Sequence, residues 1–211
     1  MANSNGAFGL RPIGVVGQAA NTTGVTEYRI AAGNTNAIYQ GSPVIPLSTG
    51  FIDIVGAAAG GTVGLLGVFW GCEYVSSTTG EKIYSNSWPG SGADTNHPVT
   101  AFVYDNPMQT YVICSDASLT DEATARGHVF ANANFATATS GSSTTGISSA
   151  KLGVSTIATT AALQLRIMGI QNDPDNADFA AAGIPVIVRL NNSFNSANGA
   201  IVAGTPSTLG V

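Results

Sequence analysis

Apolar and polar residues alternate along most of this chain in short runs, and the alternation predicts strands. At 163–168, Leu163, Leu165 and Ile167 form one set, and Gln164, Arg166 and Met168 the other. A period of two puts each set on its own face of a half-buried strand. Gly169 and Ile170 end the run. The next six residues, QNDPDN at 171–176, are turn formers: Asn and Asp side chains bond their own backbone, and Pro174 fixes φ. Residues 184–190 form the returning strand, with Pro185 near its start, where a missing N–H is tolerated. The stretch 161–190 is thus expected to be an antiparallel pair around which the chain is organised. Its connection is long for a hairpin, and 178–183 reads as one helical turn or an exposed loop. Arg166 and Arg189 lie one on each strand and are placed to face each other or a carboxylate. They are either polar-face residues or part of a subunit contact, since Arg is favoured at interfaces.

Taken in order, 1–18 reads as an extended arm. Phe8, Leu10, Ile13, Val15 and Val16 are apolar, while Gly6, Gly9, Gly14 and Gly17 oppose a helix, and Arg11-Pro12 is an extended dipeptide. Such an arm docks on its own domain or on a neighbouring subunit. Strands are expected at 26–30, 38–47, 51–55, 63–75, 99–104, 109–114, 129–135 and 151–157. A small-residue loop is expected at 57–62. Glycines inside 63–75 mark bulges or close backbone approach. Polar turns fill 76–96, and Trp88 there is a loop anchor or a ligand platform. A helix is expected at 118–126, with Ser118 and Asp121 as a capping box and Arg126 at its end. The Thr/Ser/Gly/Ala-rich stretch 136–149 reads as a solvated loop or flexible insertion, and 193–211 as a tail. The sum is a mainly β fold: a small β-barrel or β-sandwich with long loops, an extended N-terminal arm and at most one or two short helices. The expected organisation is an arm at 1–18, a core domain at 19–192 and a tail at 193–211.

Composition narrows the function classes. Charged residues are 9% of 211, against roughly 25% in ordinary soluble domains. Hydrophobics at 44% with a net charge of −5 describe a folded chain with long neutral loops. Seven basic residues against 12 acidic ones exclude the clustered positive field that nucleic-acid binding needs. The longest apolar candidate for a membrane span, 52–70, is broken by Asp53 and five glycines. The opening residues lack the basic start and apolar core of a signal peptide. Cys72 and Cys114 are therefore expected to be reduced, buried thiols, with a disulfide between them as the alternative that spacing alone does not support.

Catalytic patterns are thin. His97 and His128 are the two histidines, with no His-x-x-x-His or Cys-x-x-Cys pair for zinc. Gly90-Ser91-Gly92 lacks the strand-to-helix setting of a nucleophile elbow. The glycines of 56–67 lack the Gly-Lys-Ser/Thr of a phosphate loop. Asp173, Asp175, Asn176 and Asp178 read as a turn, or as a weak calcium site lacking EF-hand spacing. No cofactor or metal and no enzymatic activity are expected.

A family resemblance completes the reading. MANSNGAFGLRPIG resembles the opening of tailed-bacteriophage virion proteins. The unit Ile38-Tyr39-Gln40-Gly41-Ser42-Pro43-Val44, then Thr49-Gly50-Phe51-Ile52, then Leu66-Gly67-Val68-Phe69, is similar to capsid cement (head decoration) proteins, with Ser42 where the family has Asp. TAALQLRIMGIQNDPDN at 160–176, with 186–191, resembles the closing hairpin of such proteins. The resemblance implies a non-enzymatic protein on the exterior of an icosahedral head, assembled in the host cytoplasm. It would bind the major capsid protein and itself, as a homotrimer, with no nucleic acid and no membrane. Expected contact residues are Phe8, Leu10, Arg11 and Ile13 of the arm, Trp88 with its loop, and Arg166 and Arg189. A tail, collar or fibre component is the alternative. A secreted carbohydrate-binding adhesin and a hydrolase stand further off.

Overall fold

The computed structural model describes residues 3–4, 6–17, 24–56 and 64–196. Its strands are β1 (Arg11–Val15), β2 (Thr26–Ile30), β3 (Pro43–Pro46), β4 (Ile52–Ile54), β5 (Gly67–Val75), β6 (Lys82–Ser85), β7 (Val99–Tyr104), β8 (Gln109–Cys114), β9 (Asn132–Ala133), β10 (Phe135–Ala136), β11 (Lys151–Leu152), β12 (Leu165–Ile170) and β13 (Pro185–Leu190). A short helix, α1 (Glu122–Gly127), follows β8. One sheet has five strands in the order β1-β8-β13-β12-β9. A second has six: β2-β7-β5-β3-β4, with β6 beside β5. β10 and β11 form a separate ribbon. All named strand pairs are antiparallel. The fold is mainly β and sandwich-like, and the sheets are not closed into a barrel. Closure fails at the edges. β1 carries Pro12, which has no N–H to offer a further strand, and β9 is only two residues long.

Alternation along the strands divides the interior into two cores. Tyr111 and Ile113 of β8, Leu165 and Ile167 of β12, and Val186, Val188 and Leu190 of β13 project into the first. Ile45 of β3 and Val68 of β5 meet them from the six-stranded sheet. Their sequence neighbours, Val44 and Phe69, point the other way into the second core, with Val99, Ala101 and Val103 of β7 and with Trp88. Strands β3 and β4 and the first half of β5 are therefore buried on both faces, which is why 63–75 reads as a nearly continuous apolar run. Gly67 is the crossing point: a Cβ there would collide with the backbone carbonyl of Tyr104.

The expected central hairpin is present. Leu165 pairs with Leu190, Arg166 with Arg189 and Ile167 with Val188, and a bulge follows before Gly169 meets Ile187. Asp173 caps a 3-10 turn at Pro174–Asn176, accepting from the Asp175 N–H at 3.2 Å.

Five expectations need correction. The helix begins after Asp121, whose carboxylate accepts from the Thr124 N–H at 2.7 Å, so Ser118 is no cap. Leu119 is drawn into the first core and its N–H bonds Phe179, which keeps the preceding residues out of helix. β6 was not expected; it is an edge strand of mostly exposed and half-exposed residues with little apolar signal. The stretch 129–135 is no single strand: Phe130 stands at φ +75°, and two separate two-residue strands follow. Residues 136–149 are solvated only in part: 137, 139–140 and 143–145 are exposed, but Gly146 and Ser148 are buried, and the Ser148 backbone N–H bonds Gln40. At 193–196, Ser193 bridges Leu65 and Phe194 packs on the second core. The expected loop at 57–62, and the rest of the tail at 197–211, lie outside the described residues.

Candidate interaction surface

The expected contact residues separate into two groups. Trp88 is 0% exposed. Its indole N–H donates to the Asn34 carbonyl at 3.3 Å, and its ring meets Tyr74 edge-on at 5.4 Å. It is the loop anchor, and its side chain reaches no partner. Leu10 is equally buried and belongs to the first core. It is held there because Gly9, at φ +69°, lies against Gly41 so closely that no Cβ fits, and the Leu10 N–H bonds the Gly41 carbonyl at 2.9 Å. Contact through these two side chains is thus corrected: both are spent on the chain's own interior.

The arm docks on its own domain. β1 pairs with β8, with a bulge between Pro12 and Gly14. Asn3 donates to the carbonyls of Asp178 and Ala182 and accepts from the Asp178 N–H. Phe8, Arg11 and Ile13 remain at the surface. The Arg11 guanidinium sits 4.6 Å from the Phe8 ring centre, and Ile13 is 48% exposed.

Arg11, Arg166 and Arg189 share one face. Val188 and Leu190 point into the first core, so Ile187 and Arg189 point outward. Register carries that face across the sheet: Arg11 opposes Val112 and Val112 opposes Ile187, while Thr110 opposes Arg189, Arg189 opposes Arg166, and Arg166 opposes Asn132. Near one end, the Cys114 thiol lies 3.6 Å from the Gly6 carbonyl of the arm. At the other end are Arg166, Arg189 and Met108, which is 40% exposed. The Arg166 Nε–H donates to the Asn132 side-chain oxygen at 3.2 Å. Among the described residues the ion pairs are Lys82–Glu73, His97–Asp94 and Arg126–Glu122, so neither hairpin arginine has a carboxylate partner. Asn132 and Met108 gave no signal in the sequence, because they join this face only through strand order.

The other candidate groups are engaged locally. The Asp94 carboxyl is held below its ordinary range, chiefly by the Asn96 N–H and then by His97 at 2.9 Å. Burial raises both thiols, Cys72 up to about 12, and both cysteines are free. Asp173 and Asp178 accept bonds from their own turn, the former also from the Asn176 side chain at 2.8 Å. Among the described residues no group of three His, Cys, Asp or Glu side chains is placed to hold a metal. No helix among them is long and apolar enough to cross a membrane.

Comparison with protein-family models, with curated proteins and with solved structures gives no match.

Proposed function

We propose that this chain is a structural virion protein that binds the outside of a bacteriophage icosahedral head and stabilises the shell of major capsid protein. The observation that carries the reading is the outer face of the five-stranded sheet. It presents Arg11, Arg166 and Arg189, three of only seven basic residues, beside the exposed Ile13 and Met108. Arginine and methionine are enriched in interfaces, and a rigid, broad sheet face suits attachment to a surface. The resemblance of the opening residues and of the 38–69 unit to head decoration proteins supplies the assembly. A clamp repeated at symmetric sites adds its contact area many times over, which suits a shell under internal pressure. The test is particle fragility. Heads assembled without this chain should release DNA at a lower temperature than complete heads; equal release temperatures would overturn the proposal.

A further inference from the structure

We infer that Arg166 and Arg189 together form a carboxylate-binding site for an acidic side chain of the protein on which this chain sits, an inference that rests on the attachment reading above. The two residues oppose each other directly on β12 and β13. Like charges in that position destabilise a sheet, so the arrangement calls for a compensating anion. The chain's own acids do not supply one: among the described residues every ion pair uses other cations.

The geometry is built for an acceptor from outside. Asn132 is 3% exposed, and its side-chain amide donates an N–H to the Thr160 carbonyl at 3.0 Å. Its oxygen is therefore turned to the Arg166 Nε–H, which orients that guanidinium from its inner side. Among the described residues the hydrogen bond of Arg189 goes from a terminal amino group to the Met108 sulfur, a weak acceptor, at 3.5 Å; its Nε is buried and out of an outside acceptor's reach, so an incoming carboxylate would meet the terminal N–H groups. Guanidinium groups bind carboxylates through charge-assisted N–H bonds, and two arginines at directly opposed positions can offer their terminal N–H groups to one acid.

The chain carries −5 overall, which disfavours nucleic acid and other polyanions. A second copy carries the same net charge and is repelled at long range. The apolar Met108 and the half-buried Ile187 beside the pair suit the stem of a protein side chain.

Titration of the isolated chain with glutarate, followed by NMR of the arginine Nε–H resonances, tests the site. Saturable shifts are expected at Arg166 and Arg189, with affinity reduced at least about tenfold in Arg189→Gln. Equal shifts at Arg29 and Arg126, or no saturation, would overturn it. Arg189→Gln should leave the unfolding temperature unchanged or raised, since repulsion is relieved; a clear fall would mark the arginines as structural and also overturn the site. In purified particles carrying Arg189→Lys, carbodiimide should join position 189 to an acidic residue of another virion protein. A cross-link to a second copy, or none, would refute the chosen occupant. Absence of the chain from particles would sink the attachment reading, while the glutarate titration would still decide whether the pair binds carboxylate.

Discussion

Single residues in this chain take their roles from which of the two cores they enter. Trp88 fills the second core, so Trp88→Ala should lower the unfolding free energy by about 3–5 kcal/mol, measured by denaturant titration. A loss within error would mean that the loop is anchored elsewhere. Cys72 enters the same core, and burial raises its thiol from 9.0 to about 12. A raised value means that its contribution to stability is complete below the ordinary thiol pKa and is lost as pH rises toward 12. Native chain should therefore resist a thiol reagent at pH 8 and react at both cysteines once unfolded; rapid native labelling of Cys72 would contradict its placement. The sequence showed that these residues were apolar and near turns. It could not show that Trp88 is enclosed, because enclosure depends on Tyr74 and Asn34 arriving from distant segments.

At the scale of elements, periodicity was the most informative signal. β2, β7, β8, β12 and β13 were legible because each alternates, or runs apolar, between clear turn residues. β6 and β9 were not, since a polar edge strand and a two-residue strand carry no period. The low-complexity stretch 136–149 is held by backbone bonds and small residues, which composition alone reads as loose. Gly146, for example, sits where a Cβ would strike the Asn86 side chain. The arm was legible as extended but not as to its partner; Gly9 against Gly41 decides that. Deleting residues 1–16 removes β1 from β8 and empties the Leu10 site. Loss of the Leu10 side chain alone is worth about 2–5 kcal/mol, so the truncated chain should unfold at clearly lower denaturant. Unchanged stability would contradict docking of the arm on its own domain.

For the whole molecule, two sheets and two cores fix a broad outer face, and the hairpin sets Arg166 against Arg189 on it. That the two arginines lie on facing strands was readable from spacing. That they oppose each other directly, without an acid among the described residues, required the register and the bulge after Ile167. The head-attachment account depends on this face meeting a shell present in many copies. The most direct test is to count this protein against the major capsid protein in purified particles by quantitative mass spectrometry. Chymotryptic digestion is suited to a chain with seven Lys and Arg residues. The account predicts a copy number of the same order as the shell protein. A handful of copies would place the chain in a tail, collar or fibre, and its absence from particles would contradict the virion account altogether.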